Sequence, residues 1–291
     1  MIDLKREYKE AVAIAKFEPG LKNIYVEGIS DRYFINSFFS YHKIGDFSVF
    51  DIDQIDFTEL YEKMEKKQAS FYQNSNKQRV ILLAQSIEKE TNDNGSRTLC
   101  IIDVDWDYVL NTVYAGKYLC YTDYNSMEMY LFKNDTVRKY LQEGHRISNV
   151  KEDNLLESLS LICRQVFHVH CLLHERGKQM VNNNKSFSFE KSSQMCSINI
   201  DNYLEATLNK NSLMSEKDKI KGTFVERMKR PCADVREEIR GHDFVYYLYL
   251  CTKKLKTKMD MNCDEFANMF WHFADYDRMS NEKLFQKMLT L

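Results

Sequence analysis

The stretch Thr98-Leu99-Cys100-Ile101-Ile102-Asp103-Val104-Asp105 decides the fold class of this chain. Its first five residues are all apolar or β-branched, which is typical of a strand that is buried on both faces of a parallel sheet. An Asp-x-Asp follows immediately, and Asp107 adds a further acid. We therefore expect a central parallel strand whose carboxyl end carries several carboxylates.

A second stretch has the same form earlier in the chain. Ile24-Tyr25-Val26 is followed by Glu27-Gly28, and Asp31 lies three residues beyond Gly28. The glycine allows the backbone to turn sharply after Glu27. Acids at the ends of buried strands cost free energy unless they are neutralised, and hard carboxylate oxygens suit Mg²⁺ or Mn²⁺. The two stretches predict a metal site for phosphodiester chemistry, although each acid could instead be a loop residue or a helix cap.

Strands and helices are predicted to alternate over about the first 130 residues. This pattern predicts an α/β fold with a mainly parallel sheet flanked by helices, and in such sheets the ligand crevice lies at the carboxyl ends of the strands. A loop is predicted at 73–78 and a turn at 92–96. The predicted strands are 22–26, 47–52, 98–102 and 118–122. One helix is predicted to begin at Ser30 or Asp31, and another to cover 57–67. A third is predicted to begin over 80–87, and a fourth to follow Ser126.

The second half of the chain is predicted to be helical, because the strand pattern disappears from about residue 135. The longest predicted helix, 154–176, is stopped by Gly177. A polar loop is predicted at 182–193, and further helices at 217–229, 243–256 and 264–273. We therefore expect a catalytic domain over 1–135 and a helical substrate- or partner-binding region over 136–291.

Composition and missing motifs argue against several classes of protein. The chain has 291 residues with a formal net charge of −2, which does not suit a general nucleic-acid coat protein. No apolar run approaches the roughly 20 residues of a membrane span, and the charged start of the chain predicts no secretory segment. The 8 Cys form no spaced framework, so we expect reduced thiols and a cytoplasmic protein. The chain also lacks the glycine-rich phosphate loop of ATPases and the serine elbow of α/β hydrolases.

The order strand-Glu27-Gly28-x-x-Asp31, then strand-Asp103-x-Asp105, resembles a Toprim domain. This is the metal-binding fold of topoisomerases, bacterial primases and the overcoming-lysogenization-defect (OLD) nucleases. The resemblance implies that Glu27 is a metal ligand or general acid/base and that Asp103 and Asp105 bind the metal. It also implies a functional role for Asp31, while Asp107 is a less certain additional ligand.

Two further stretches are similar to a nuclease-related Toprim subfamily. Residues 121–131, Tyr-Thr-Asp-Tyr-Asn-Ser-Met-Glu-Met-Tyr-Leu, contain Glu128 at the position of a subfamily glutamate. A helical glutamate is otherwise more often a solvated or capping residue. Arg240-Gly241-His242-Asp243 is similar to a late Gly-Lys-Asp stretch, with His242 where lysine is often found.

Chain size, acidic motifs and a helical second half most resemble the Toprim effectors of the phage anti-restriction-induced system (PARIS), a bacterial anti-phage defence. That resemblance implies an RNA-directed endonuclease that a partner ATPase holds silent and a phage protein releases. It further implies cleavage of host tRNA as an abortive-infection toxin, with a homo-oligomer as the active form. The alternatives are a catalytically idle Toprim-fold regulatory subunit, an OLD-type nuclease directed at DNA, and, ranked last, a primase-like or topoisomerase-like activity.

Three further groups of residues are of types that can bind metals or nucleic acids. Zinc would need more ligands than His170 and His174, which are four apart, so packing is the better interpretation of the cluster at Cys163, His168, His170, Cys171 and His174. Two basic segments, Lys217–Arg230 and Lys253–Lys258, could follow a phosphate backbone or simply be solvated helix faces. Phe187, Phe189 and Tyr203 could stack on bases or anchor a loop.

Overall fold

The computed structural model describes residues 5–91, 95–180, 184–256 and 258–291. The strands within these ranges are β1 Arg6–Glu7, β2 Lys22–Val26, β3 Phe47–Asp51, β4 Ile55–Asp56, β5 Thr98–Ile102, β6 Leu119–Tyr121, β7 Phe187–Glu190 and β8 Met195–Ile198. The α-helices are α1 Tyr8–Phe17, α2 Ile29–Tyr41, α3 Thr58–Lys63, α4 Lys66–Gln73, α5 Asn76–Thr91, α6 Asp107–Leu110, α7 Asn134–Lys139, α8 Glu152–His174, α9 Ile200–Lys210, α10 Lys217–Met228, α11 Gly241–Leu255, α12 Cys263–Phe270, α13 Tyr276–Met279 and α14 Lys283–Leu289.

Short helical segments complete the secondary structure. A π-helical turn covers Tyr140–Gly144, and 3₁₀ turns cover Ile52–Gln54, Met127–Leu131, Asn184–Ser186, Met214–Glu216, Val235–Glu238 and Trp271–Phe273. The fold is therefore α/β with parallel strands in the first half and a mostly helical second half. Within the described ranges, no helix is both long and apolar enough to cross a membrane.

The chain divides into two compact units. The first unit contains Met1–Val104, Val113–Asp123 and Tyr276–Leu291, and the second contains Asp105–Thr112 and Tyr124–Asp275. These bounds differ from a single division at residue 135, because the last sixteen residues return to the first unit and 124–135 belong to the second. Compactness does not test which segments fold independently, so the division into domains 1–135 and 136–291 stays a prediction.

The first unit is built on a four-stranded sheet in the order β3-β2-β5-β6. All three pairings are parallel, so the carboxyl ends of the four strands lie at one edge. β5 is buried at all five positions, as its unbroken apolar sequence predicts. Helix α5 packs on this sheet and buries seven residues, including Val80, Leu83 and Ile87.

The end of the chain completes the core of the first unit. Phe285 of α14 is fully buried and its ring lies 4.7 Å from the ring of Phe38 and 6.3 Å from that of Phe34 in α2. Tyr276 packs on the same two rings, and the backbone N–H of Leu284 donates to Asp123 at 3.0 Å. Burial of side chains of this size is worth about 1.5–3 kcal/mol each, so α13 and α14 are integral to this unit.

The second unit is arranged around α8, which has fourteen buried residues along its length. Helices α10 and α11 and the hairpin strand β8 pack against it. As the sequence predicts, α8 ends before Gly177, whose φ of 61° lies in the left-handed region that favours glycine. The predicted helices 217–229 and 243–256 correspond to α10 and α11 within two residues.

Several sequence-based assignments were wrong. The predicted absence of strands after residue 135 fails, since β7 and β8 form an antiparallel hairpin, and β7 lies within the predicted loop 182–193. The predicted loop 73–78 is mostly helical, because α4 extends to Gln73 and α5 begins at Asn76. The predicted helix 57–67 is two helices, interrupted at Met64 and Glu65. Residues 92–94 of the predicted turn, and 182–183 of the predicted loop, lie outside the described residues.

Candidate functional site

Acids follow three neighbouring strands at the carboxyl edge of the sheet in the first unit. Asp51 ends β3, Glu27 follows β2, and Asp103 follows β5. Strands β3, β2 and β5 are adjacent in that order, so the three acids stand side by side along one edge. Glu27 and Asp103 are half-buried, whereas Asp51 is only 4% exposed.

Glu27 and Asp103 are in direct contact. The Oε1 of Glu27 accepts a hydrogen bond from the backbone N–H of Asp103 at 2.8 Å, across 76 residues of chain. The bond fixes the Glu27 carboxylate beside the point where the chain leaves β5. A carboxylate has about four lone-pair sites, and this bond occupies one of them. The hydrogen bond brings the Glu27 carboxylate to the backbone of Asp103, whereas the convergence of the two carboxylates on one ion stays a prediction.

Asp31 and Asp51 have structural partners at the same edge. Asp31 accepts a hydrogen bond from the backbone N–H of Gly28 at 3.0 Å, which satisfies one of the open donors at the start of α2. Asp51 lies 3.0 Å from the guanidinium of Arg32, and an ion pair of this kind compensates the cost of burying the acid. The alternative that Asp31 is a helix cap thus has a direct structural basis.

Asn76 and Lys77 are residues at this edge that sequence reasoning missed. The Nδ2 of Asn76 donates to the carbonyl oxygen of Glu27 at 2.7 Å, and the Nζ of Lys77 donates to the carbonyl oxygen of Val104 at 3.2 Å. Both residues begin α5, so one helix start contacts the chain just after β2 and just after β5. The available signal was Ser75, whose Oγ accepts from the backbone N–H of Gln78 at 3.3 Å, as an N-cap residue does.

Asp105 and Asp107 belong to the second unit, although Asp105 follows Asp103 by only two residues. Asp105 has a φ of 49°, a left-handed conformation that costs non-glycine residues roughly 1 kcal/mol or more. Asn125, which is fully buried, stabilises the left-handed conformation of Asp105 with two hydrogen bonds. The backbone carbonyl of Asn125 accepts from the Asp105 N–H at 2.9 Å, and its side-chain Nδ2 donates to the Asp105 backbone carbonyl at 2.6 Å. Asp107 is 7% exposed and accepts from the hydroxyl of Thr112 at 3.0 Å.

Glu128 lies against the start of α11, which joins two stretches that are far apart in sequence. The backbone N–H of Gly241 donates to the hydroxyl of Ser126 at 3.1 Å. A Cβ at position 241 would lie 2.2 Å from the Oε2 of Glu128 and 2.5 Å from the Oγ of Ser126, so only glycine permits this approach. The exposed ring of His242 has its Nδ1 4.0 Å from the Oε1 of Glu128.

The predicted ligands do not form a complete metal cluster in the described parts of the chain. Within those ranges, no group of three or more His, Cys, Asp or Glu side chains is placed to hold a metal ion. Glu27, Asp31 and Asp103 lie in the first unit, and Asp105, Asp107 and Glu128 lie in the second. The assignment of these six acids to a site therefore stays a prediction, and the Glu27–Asp103 contact is its structural basis.

The histidine and cysteine cluster on α8 has a packing role. The Nε2 of His168 lies 3.0 Å from Glu238, and that of His170 lies 3.0 Å from the hydroxyl of Tyr203. Burial raises the pKa of the Cys163 and Cys171 thiols, which disfavours the thiolate that a metal requires. His174 stacks on Trp106 with ring centroids 5.7 Å apart. These contacts agree with the packing interpretation rather than with zinc.

Three lysines of the first basic segment and two of the aromatic candidates, Phe187 and Tyr203, are accounted for by contacts or burial within the second unit. Lys217 and Lys221 pair with acids of α9, and Lys229 pairs with Glu226, which is typical of a solvated helix face. Phe187 packs on Tyr247, with ring centroids 5.7 Å apart, and Tyr203 is fully buried. These residues are accounted for without a bound nucleic acid.

Comparison with known proteins leaves the chain without an assigned family. No family model matches it, and no curated protein matches it.

Proposed function

We propose that the protein is a Mg²⁺-dependent endonuclease with a Toprim-like catalytic core. The observation that carries the proposal is the 2.8 Å bond between the Glu27 carboxylate and the backbone N–H of Asp103. It supports the proposal because two acids that lie 76 residues apart meet where parallel α/β sheets place their ligands.

The donor set fits a magnesium ion. Magnesium keeps several of its waters and needs only one or two protein carboxylates, so Glu27 and Asp103 would be the protein ligands. The bound ion would supply a positive charge that polarises the phosphodiester and lowers the pKa of a bound water. Glu27 is held in place by its bond to the Asp103 backbone, and Asp105, Asp107, Asp31 and Glu128 are proposed as further contributors.

Lys77 would add a fixed positive charge near the reacting phosphate. Its bond to the Val104 carbonyl supports this role, because it anchors the ammonium group at the exit of β5. Cations held in place where negative charge develops lower reaction barriers.

We expect Lys77→Met to lower the cleavage rate about tenfold or more, on the scale of a single electrostatic contact. The measurement is the initial rate of substrate cleavage at saturating Mg²⁺. Lys89→Met is the matched control, since Lys89 is an exposed lysine at the other end of the same helix. Equal rates for the two variants would remove Lys77 from the proposed site.

For the substrate and partners we propose host tRNA, a regulatory ATPase and self-association in the active form. These proposals rest on the resemblance to AriB, the Toprim effector of the PARIS system. The phosphate-loop motif that an ATPase needs is lacking in this chain, so ATP hydrolysis would come from the partner. Sequencing of RNA ends after induced expression, with Glu27→Ala as the control, would identify the RNA that is cut.

The activity itself is tested with purified protein, tRNA and duplex DNA, each with Mg²⁺ or Mn²⁺. The comparison is with the triple variant Glu27→Ala, Asp103→Ala, Asp105→Ala, checked for folding by circular dichroism. We expect cleavage of tRNA by the wild type and none by the triple variant. Cleavage that survives the triple change would overturn the nuclease proposal, and cleavage of DNA alone would select the OLD-type alternative.

The second candidate function is a catalytically idle Toprim-fold subunit that acts by docking to a partner. The observation that favours it is the lack of a group of three or more metal-ligand side chains among the described residues. Calorimetric titration with Mg²⁺ separates the two functions. An idle subunit would show no heat of binding that depends on Glu27 and Asp103.

A further inference from the structure

A pocket of about 490 Å³ lies in the second unit, between the segment after the π-helical turn and the end of α11. Among the described residues that line it there is no Asp or Glu. The lining residues are His145, Arg146, Ile147, Ser148, Leu255 and Lys256. The lining of the pocket thus contains two cations, an imidazole, a hydroxyl and two aliphatic side chains.

The cations of this pocket lack the counter-charges that other cations of the second unit have. Arg164 pairs with Glu238, Arg227 with Glu175 and Arg236 with Asp234. Arg146 and Lys256 have no ion-pair partner among the residues that the structure describes. A concave region lined by charges of one sign concentrates ions of the opposite sign.

His145 provides a second, independent indication of a ligand. His145 is 3% exposed, and its Nε2 is buried without a hydrogen-bond partner among the described residues. Stacking on Phe266, at 5.1 Å between centroids, and an edge contact to Tyr140 hold the ring in place. A buried polar atom without a partner destabilises the folded protein. A ligand that brings an oxygen atom to the ring would remove that destabilisation.

Burial, and then the charge of Lys256, lower the pKa of His145 to about 4. The imidazole is therefore neutral at neutral pH, and it carries one N–H that can donate to an oxygen. His145 and Lys256 line the same pocket. An anion at this point would reduce the repulsion between the charges of Arg146 and Lys256.

We propose that this pocket is a phosphate-binding site. Arg146 would contact two phosphate oxygens with its planar fork, Lys256 would act as a point charge, and Ser148 and His145 would donate hydrogen bonds. The phosphate could be a free phosphate ion or a phosphate of a nucleic-acid backbone, which offer the same oxygens. The proposal shares no residue with the carboxylate site and does not depend on nuclease activity.

The test is calorimetric titration of the full chain with inorganic phosphate, in buffer without divalent cations. The variant Arg146→Gln/Lys256→Gln removes both pocket cations. Lys253→Gln/Lys254→Gln is the matched control, because it removes two exposed charges from the last turn of α11 outside the pocket. We expect saturable binding by the wild type, at least about tenfold weaker binding by the pocket variant, and at most about a twofold change in the control, because only the pocket variant loses charged hydrogen bonds to the phosphate.

Two further measurements complete the test. If the double variant does not fold, the single variant Lys256→Gln replaces it. This variant leaves Arg146, which has a φ of 56°, unchanged, and it should also weaken phosphate binding. Competition by a short single-stranded RNA would identify a nucleic-acid backbone as the source, whereas failure to compete would identify a free phosphate. Absence of saturable phosphate binding, or equal weakening in both double variants, would overturn the proposal.

Discussion

Glu27→Gln is expected to lower the cleavage rate by at least about 100-fold while leaving the fold intact. The substitution removes the negative charge but keeps an oxygen at the same position. The amide oxygen can still accept the hydrogen bond that Glu27 accepts from Asp103 at 2.8 Å. The bond loses its charge-assisted part, so the free energy of unfolding should fall by only about 1 kcal/mol.

The measurements are single-turnover cleavage rates and urea denaturation on the same preparations. Glu62→Gln is the matched control, because Glu62 is an exposed acid of α3 in the same unit. We expect the control to keep both its rate and its stability. A Glu27→Gln protein that cleaves at the wild-type rate would show that the carboxylate charge has no part in catalysis. A Glu27→Gln protein that is inactive and unfolded would assign Glu27 a structural role instead.

Gly241→Ala is expected to destabilise the second unit by about 3 kcal/mol, the upper part of the range for overpacked sites. The added methyl group would lie 2.2 Å from the Oε2 of Glu128 and 2.6 Å from its Cβ. Because the backbone N–H of Gly241 is bonded to Ser126, α11 cannot shift without breaking that bond. Glu128 would have to leave its position, so cleavage should fall as well if Glu128 contributes to it.

Gly222→Ala is the control for this substitution. Gly222 lies within α10, and a Cβ there would meet no heavy atom within 4 Å. Alanine is the better helix former, so this change should stabilise the protein by about 0.8–1 kcal/mol. The measurement is the midpoint of thermal unfolding for each variant. Two variants with the same midpoint would show that the close approach of Gly241 to Glu128 does not affect the stability of the protein.

The strands that carry the site could be predicted from the sequence with their bounds. Strand β5 coincides with its run of apolar and β-branched residues, and β2 ends with the apolar run Ile24-Tyr25-Val26, because a buried parallel strand needs apolar residues on both faces. The carboxylates that follow them were recognisable because charge changes abruptly there. The contact between Glu27 and Asp103 then follows from the adjacency of β2 and β5, which the strand order decides.

The elements that sequence reasoning missed depend on tertiary contacts. Strands β7 and β8 have four residues each, and of these only Cys196 is buried. The Cys196 N–H donates a hydrogen bond to the hydroxyl of Ser158 on α8, a tertiary contact that the sequence does not indicate. The first turn of α5 is polar and therefore resembles a loop in sequence, although Ser75 caps it by accepting a hydrogen bond from the Gln78 N–H. The phosphate pocket joins residues 145–148 to residues 255–256, which no local pattern connects.

The packing of Phe285 against Phe34 and Phe38 bears on how the protein is made in the cell. A growing chain exposes the aromatic face of α2 until residue 285 has left the ribosome exit tunnel. The packing around α2 is therefore completed late in translation, after the helical unit has already emerged. An expression fragment that stops near residue 135 would keep this aromatic face uncovered and would be prone to aggregate, so biochemical dissection should retain residues 276–291.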